Sequence, residues 1–123
     1  MSPVPFEVKS EELEGGVHAF AVRGELDMNT APELQQQLDE VLAAADASIM
    51  LDLSECEFID STGIALIVRA WQQLDRESGG EGGGRFVLCS INHQVQRLLK
   101  ITGVDSSISM HEQRSAALAE LRG

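Results

Sequence analysis

The 123-residue sequence predicts an α/β protein, with a small mixed sheet of four to five strands and about four helices packed mostly on one face. Two observations predict this architecture. Short apolar runs alternate with amphipathic segments along the chain, which is typical of strands joined by helical crossovers. Two strand-like segments come first in succession, so an antiparallel pair precedes the parallel strands. Because such crossovers are right-handed, most of the helices are expected on the same face.

The first elements predict a hairpin followed by a helix. PFEVKSEEL alternates weakly after its prolines, as an edge strand does, and Glu14–Gly16 supply a turn. VHAFAVRGEL is largely apolar on both faces, which indicates a buried strand. The segment DMNTAPELQQQLDEVLAAA then carries apolar residues at helical spacing. Thr30, Pro32 and Glu33 fit a capping box at the start of this helix.

The middle of the chain predicts a central strand and a second amphipathic helix. The run SIMLDL is almost continuously apolar, as expected of a strand buried on both faces. In STGIALIVRAWQQLDRES an apolar stripe at helical spacing is formed by Ile64, Ile67, Val68, Trp71 and Leu74. The run GGEGGG at residues 79–84 ends this helix and predicts a flexible connector.

The remaining segments predict a strand, a helix, a short strand or connector, and a last helix. They read RFVLCSI, NHQVQRLLKITG, VDSSISM and HEQRSAALAELRG. Asn92 can cap the third helix, and Gly103 stands where a left-handed residue ends it. Ala117, Leu118 and Leu121 are expected to pack the last helix. No repeat or linker divides the chain, so residues 1–123 are expected to form one domain.

The charge balance limits the classes of partner. The formal net charge is −11, from 20 acidic and 9 basic residues. A polyanion and an anionic membrane surface would both be repelled, so neither nucleic acid nor a membrane is an expected partner. The chain has no signal-like start and no apolar run near the ~18 residues that span a bilayer. We therefore expect a soluble cytoplasmic protein.

The two cysteines predict neither a disulfide framework nor a metal site. Cys56 and Cys89 lie beside apolar runs, and the sequence has no CxxC pair or Cys/His cluster. Both are expected to be reduced thiols in the core. No cofactor is indicated.

Residues 58–63, FIDSTG, join the central strand to the second helix. In sheets of this kind functional sites gather at the carboxyl ends of strands, where GELDMNT also ends the preceding strand. A hydrolase nucleophile at Ser61 is disfavoured, because the nucleophile elbow needs a glycine where Ile59 stands and no histidine is predicted nearby. The run GGEGGG is no phosphate loop, because a helix precedes it and a strand follows. The sequence therefore does not predict an enzyme.

Three carboxylates near these strand ends allow two interpretations. Asp27, Asp52 and Asp60 could hold a divalent cation, since carboxylate oxygens suit magnesium. Alternatively they cap helices: Asp27 or Thr30 caps the first, and Asp60 or Ser61 the second. Capping is favoured over a metal site, because Asp52 alternates with its neighbours along a strand and can face elsewhere.

Ser61 could also accept a phosphate. At a helix N-terminus, beside Gly63, the phosphate would meet unpaired backbone N–H groups and the positive end of the helix dipole. It would add about −1.5 to −2 charge next to Asp60 and so repel a partner without refolding. From spacing alone, an unmodified helix cap remains the favoured interpretation.

Three separated segments resemble the anti-sigma factor antagonists of the STAS domain family. They are GELDMNTAPELQQQLDEVL, IMLDLSECEFIDSTGIALIVRA and LLKITGVDSSISM, in the family's order and spacing over nearly the whole chain. FIDSTG after an LDLS strand is the most specific mark. The resemblance implies the compact STAS fold, a small mixed sheet with helices packed against it, as a single STAS domain over residues 1–123.

The resemblance also implies a function. Stand-alone members bind an ATP-binding serine kinase that is an anti-sigma factor, and so free the sigma factor. The kinase phosphorylates the antagonist on the motif serine, which ends the interaction, and a PP2C-type phosphatase restores it. By motif, Ser61 is the acceptor, with Asp27, Asp60, Thr62 and Gly63 as its neighbours.

The resemblance further implies a partner-binding surface, formed by Met28, Asn29 and Thr30 together with Thr62, Gly63 and Ile64. STAS domains also occur in sulfate transporters, in sensory assemblies and in lipid-transport complexes. The alternative function is therefore an interaction subunit of a transport or sensory complex, without a phosphorylation cycle.

Overall fold

The computed structural model describes residues 4–13, 15–43, 47–77, 86–89, 92–103 and 108–122. The elements follow the predicted order of strands and helices. The strands are β1 (Glu7–Leu13), β2 (Val17–Leu26), β3 (Ser48–Ile59), β4 (Phe86–Cys89) and β5 (Ser109–His111). The helices are α1 (Ala31–Leu42), α2 (Ser61–Glu77), α3 (His93–Ile101) and α4 (Arg114–Arg122). The Gly-rich run 79–84 lies outside the described residues.

The strands form one mixed sheet in the order β1-β2-β3-β4-β5. The pair β1 and β2 is antiparallel and is joined by a tight turn, in which Gly15 and Gly16 have positive φ angles of 80° and 76°. Such angles favour glycine because it has no Cβ. The other neighbouring strands are parallel. The mixed five-stranded sheet, with β1 at its edge, confirms the prediction.

The core lies on both faces of the sheet. Ile49, Leu51 and Leu53 of β3 belong to the large apolar cluster that α1, α2 and α3 cover. Met50, which points the other way, belongs to a small cluster with Ala117 of α4. This alternation follows from the two-residue period of a strand. Three described helices thus share one face, as predicted, and α4 covers part of the other.

Helix α2 is rotated relative to the stripe that the sequence predicted. Ile64, Val68 and Trp71 are only partly buried, although they pack against the large cluster. The residues of α2 that are fully buried against the sheet are Gly63, Leu66, Ile67, Ala70 and Leu74. Gly63, in the first turn of α2, lies against Leu26 and Ile59 at the ends of β2 and β3.

Strand β3 carries two extra residues relative to β2. The pairing of Ala21 with Asp52 is followed by Arg23 with Glu55, and the register shifts again between Gly24 and Glu25. Such bulges bend a strand and increase its twist. After them, Leu26 pairs with Ile59. The two strands therefore end side by side, and the segments that follow them adjoin.

Both cysteines are buried thiols that form no disulfide, as predicted. The thiol of Cys56 donates a hydrogen bond to the carbonyl of Phe58 at 3.3 Å. Burial raises the pKa of Cys56 from 9.0 to about 11, because a thiolate would lose its hydration there. The carbonyl of Cys56 accepts a bond from the Asn92 side chain, whose Oδ1 also caps α3 by accepting from the Val95 N–H at 2.9 Å. The predicted cap at Asn92 is confirmed, and so is the left-handed residue Gly103, with φ 81°.

Candidate functional site

The loop after β2 and the start of α2 form one site at the carboxyl edge of the sheet. The Asp60 N–H donates to the carbonyl of Leu26 at 3.2 Å, which continues the pairing of β2 with β3 by one residue. Residues 27–30 therefore lie beside residues 60–64. The predicted site residues all fall in these two segments.

Asp60 is the cap of α2. Its Oδ1 accepts a hydrogen bond from the Gly63 N–H at 3.0 Å, and its carbonyl accepts from Ile64 at 3.0 Å. Its Oδ2 accepts from the Met28 N–H at 3.3 Å, across to the other segment. Of the two predicted caps, Asp60 and Ser61, the structure selects Asp60. One carboxylate thus fixes the helix start and also holds the neighbouring loop against it.

Ser61 is the first residue of α2 and is exposed. Its hydroxyl makes no hydrogen bond to any residue in the described ranges, which include all three histidines. The hydroxyl is consequently uncommitted, because Asp60 already supplies the cap. A group attached to it would project from the helix terminus into solvent.

Asp27 and Thr30 shape the other segment by bonding to each other. Asp27 Oδ1 accepts from the N–H groups of Asn29 at 2.9 Å and of Thr30 at 3.2 Å. Thr30 Oγ1 accepts from the Asp27 N–H at 2.9 Å and donates to the carbonyl of Glu25 at 2.7 Å. These bonds form a closed turn that leaves the Met28 side chain outside.

The predicted capping box of α1 is wrong. Thr30 has helical backbone angles, φ −103° and ψ −25°, and its side chain makes no capping hydrogen bond. A cap residue normally has extended angles, which aim its oxygen at the first turn. Here the hydroxyl points back to Glu25 and Asp27, and the carbonyl of Asp27 accepts from the Ala31 N–H at 2.8 Å. Asp27 therefore organises the start of α1.

Gly63 allows the first turn of α2 to approach the strands. A Cβ at this position would lie 2.7 Å from Ile59 Cγ1 and 2.9 Å from the carbonyl oxygen of Leu26. Both distances are shorter than any ordinary contact, and the Leu26 carbonyl is backbone that cannot easily move. Any side chain at residue 63 would push Ser61 away from the 27–30 segment.

The three carboxylates considered for a cation do not converge. Asp52 lies on the face of the sheet that α4 partly covers, and its Oδ2 accepts a hydrogen bond from Arg114 Nε at 2.8 Å. Asp27 and Asp60 each accept backbone N–H groups, as caps and turn residues do. Within the described residues, no group of three His, Cys, Asp or Glu side chains could hold a metal ion. Capping is thus the role that the geometry supports.

The site exposes the side chain of Met28 beside the start of α2, and this side chain is 69% exposed. Phe58 is 45% exposed near the end of β3, where it faces the opposite way from the buried Ile59. Asn29 is also exposed, whereas Thr30, Thr62 and Ile64 are partly buried. Phe58 was missed from the sequence. Its only signal is its place next to the buried Ile59, since neighbours in a strand face opposite ways.

We call the exposed part of the site the Ser61 surface. It consists of Met28, Asn29 and Ser61, with the partly buried Ile64 at its border. Its electrostatics are set by two opposing groups. The N-terminus of the 17-residue helix α2 favours negative charge, while the carboxylates of Asp27 and Asp60 oppose it. A phosphate on Ser61 would be tolerated by the helix and would still make the surface strongly negative.

Comparisons with known proteins agree with this geometry. The STAS domain family profile matches residues 10–117. An anti-sigma F factor antagonist from Paenibacillus polymyxa is 29% identical over 111 residues, which cover 89% of this chain and 91% of that protein. An anti-sigma-B factor antagonist from Staphylococcus aureus is 30% identical over 94 residues, or 74% of this chain and 80% of that protein.

A solved structure of an anti-sigma factor antagonist has the same fold as this chain. The crystal structure of an anti-sigma factor antagonist from Mycobacterium paratuberculosis superposes with a TM-score of 0.80 at 26% identity, over 99% of this chain and 98% of that one. In the described part of this chain, no helix is long and apolar enough to cross a membrane. The chain belongs to the STAS domain family, in its group of anti-sigma factor antagonists.

Proposed function

We propose that the protein binds a serine-kinase anti-sigma factor through the Ser61 surface, so that a sigma factor is released. Phosphorylation of Ser61 by that kinase ends the interaction. The observation that carries this proposal is the position of Ser61, exposed and uncommitted at the start of α2, beside a loop that Asp60 holds in place. The related antagonists from Paenibacillus polymyxa and Staphylococcus aureus support the choice of partner.

Ser61 suits a phosphoacceptor because its modification removes no stabilising bond. Its hydroxyl is neither buried nor needed as a cap, since Asp60 Oδ1 accepts from Gly63. The added phosphate would sit at a helix N-terminus, where backbone dipoles favour an anion. The fold is therefore expected to stay intact in both forms.

The phosphate would end binding through charge and hydration. It carries about −1.5 to −2 charge at neutral pH, next to the carboxylates of Asp60 and Asp27. An interface over Met28 and Ile64 would have to remove water from this cluster of negative charge. Loss of affinity then needs no movement of the backbone.

The partners follow from this cycle. The kinase is an ATP-binding protein, and a PP2C-type phosphatase would hydrolyse the phosphoserine and restore binding. The protein itself is the substrate of both and catalyses neither step. It needs no cofactor, and its net charge of −11 disfavours binding to nucleic acid or to an anionic membrane surface.

The test is phosphorylation of the purified chain by a serine-kinase anti-sigma factor from the same genome, with ATP, followed by mapping of the phosphate. We expect one phosphate per chain, on Ser61, and none on the Ser61→Ala variant. Ser115→Ala is a matched control, because Ser115 is also an exposed serine in the first turn of a helix. It should be phosphorylated like the parent chain.

Phosphate mapped to Thr62 alone, or no transfer by any such kinase, would overturn the proposed switch. Binding without transfer would then favour the alternative function, an interaction subunit of a transport or sensory complex. Kinase binding by Ser61→Ala at the affinity of the unphosphorylated chain would show that the variant is folded and that only the acceptor is lost.

A further inference from the structure

A basin lies on the face of the sheet that α4 only partly covers, away from the Ser61 surface. It is lined by side chains of β1, β2 and β3 and by the first residue of α4, and its volume is about 170 Å³. We call it the α4-face basin. Its charged lining residues are Glu7, Lys9, Arg23, Asp52, Glu55 and Arg114.

The basin gathers three of the nine basic residues of a chain whose net charge is −11. Three carboxylates also line the basin, so its lining is neutral in formal charge within an otherwise acidic chain. Each cation has an acidic neighbour. The closest approaches are Arg114 Nε to Asp52 Oδ2 at 2.8 Å, Arg23 Nε to Glu55 Oε2 at 3.2 Å, and Lys9 Nζ to Glu7 Oε1 at 3.9 Å.

Each of the two arginines contacts its carboxylate through only one nitrogen of its guanidinium group. A guanidinium has five N–H donors, and four of them belong to the terminal Nη atoms. Both arginines bond to their carboxylates through Nε. Among the residues that the structure describes, neither has a partner for its Nη groups. The Nη donors of these two lining residues therefore remain available to a ligand.

Asp52 fixes Arg114 in this arrangement. The carboxylate is buried, and its Oδ1 accepts from the Ser54 N–H at 2.9 Å, within the first bulge of β3. Its Oδ2 accepts from Arg114, and the hydrogen bond to Asp52 raises the pKa of Arg114 above its ordinary value. Both oxygens of Asp52 therefore accept a hydrogen bond, and Arg114 remains charged and held at the lining of the basin.

We propose that the α4-face basin binds a small oxyanion of the phosphate or sulfate type. Arginine Nη groups form paired hydrogen bonds with tetrahedral oxyanions, and Lys9 adds a third positive charge. The size of the basin selects a small ligand, because pockets for drug-sized molecules have roughly 300–1,000 Å³. The site is independent of the Ser61 surface, since it lies on the other side of the sheet.

The test is a titration of the full-length ¹⁵N-labelled chain with sodium phosphate, followed by NMR. The probes are the Nε–H resonances of Arg23 and Arg114 and the amide of Ser54. We expect saturable shifts with phosphate and with sulfate, and not with sodium chloride at the same ionic strength. Equal shifts in chloride, or no saturable shift in either oxyanion, would overturn the proposal.

Two variants distinguish binding of phosphate at the basin from non-specific attraction of phosphate to basic side chains. Arg23→Gln should weaken phosphate binding about tenfold or more, since it removes charged hydrogen bonds. Arg69→Gln removes the same charge from an exposed position on α2, on the other face, and should leave the affinity unchanged. Equal loss in both variants, or none in Arg23→Gln, would contradict the site. Arg23 is substituted rather than Arg114, because a change at Arg114 would remove the ion-pair partner of the buried Asp52.

Discussion

The carboxylate of Asp60 bonds to the backbone N–H of Met28, 32 residues away in the chain, at 3.3 Å. The same carboxylate caps α2 through the Gly63 N–H. One side chain therefore sets the distance between the Met28 loop and the proposed phosphoacceptor, Ser61. A partner that binds both residues 27–30 and the start of α2 therefore depends on an arrangement that the Asp60 carboxylate maintains.

Loss of the Asp60 carboxylate should weaken both the fold and the site. We expect Asp60→Ala to lower the free energy of unfolding by about 1–2 kcal/mol, as loss of a helix cap does, and to weaken kinase binding. Urea unfolding and a binding titration measure the two effects. Asp60→Asn is the matched control, because asparagine keeps a capping oxygen and should retain most of the stability. Unchanged stability in Asp60→Ala would show that the cap is not used.

Negative charge at Ser61 should act as the off signal. Ser61→Glu is expected to weaken kinase binding by about tenfold or more, because like charges brought together in an interface cost several kcal/mol. The effect should shrink at high salt, which screens exposed charges. Ser115→Glu, at the first turn of α4, places the same charge elsewhere and should bind as the parent chain does. Equal affinity of Ser61→Glu and the parent would show that charge is not the switch.

Met28 is expected to anchor the partner. Met28→Ala should cost about 1 kcal/mol or more of binding free energy, since exposed apolar residues at the centre of an interface carry much of its energy. Stability should not change, because Met28 is 69% exposed in the free protein. Ile101, which is 75% exposed at the end of α3, provides the control. If Ile101→Ala reduces the affinity as much as Met28→Ala does, the interface lies elsewhere.

A methyl group at residue 63 should destabilise the protein. In a helix, replacing glycine by alanine normally adds up to about 1 kcal/mol of stability. Gly63→Ala should instead lose about 1–3 kcal/mol, because its Cβ would lie 2.9 Å from the Leu26 carbonyl oxygen. Thermal or urea unfolding decides the sign. A gain in stability would mean that α2 can shift away from β2 at no cost.

Cys56 should make the protein less stable at alkaline pH. The folded state raises the pKa of Cys56 from 9.0 to about 11 by burial, so the unfolded chain loses this proton first. The neutral thiol therefore favours folding below about pH 9, and its contribution is lost as the pH rises to about 11. The loss should be roughly 2–3 kcal/mol. Cys56→Ala should show a smaller decline over this range, and an equal decline would assign it to other groups.

Local patterns were enough to predict the elements and most of the core. The segment of β2 was predicted to be buried on both faces, and the structure agrees, with Phe20 and Val22 in the large cluster and Ala19 in the small one. Apolar residues at helical spacing predicted α1, and Ala31, Leu34 and Leu38 of this helix are buried in the structure. These assignments succeed because each depends only on the period of its own element. The stripe predicted for α2 was shifted, because the buried side of this helix also includes Gly63, Leu66 and Ala70.

The sequence by itself determined the order of the elements, the mixed sheet and the position of Ser61 at a strand-to-helix junction. Only the tertiary structure decided that Asp60, and not Ser61, caps α2, that Thr30 turns back to Glu25, and that Asp52 faces α4. It also exposed Phe58 and assembled the α4-face basin. The contacts of Asp60 with Met28 and of Asp52 with Arg114 depend on the packing of the strands and helices, which brings together residues 32 and 62 positions apart, and no local pattern records such a distance. The turn of Thr30 back to Glu25 is local, but several nearby oxygens compete for its hydroxyl, and the sequence does not decide among them.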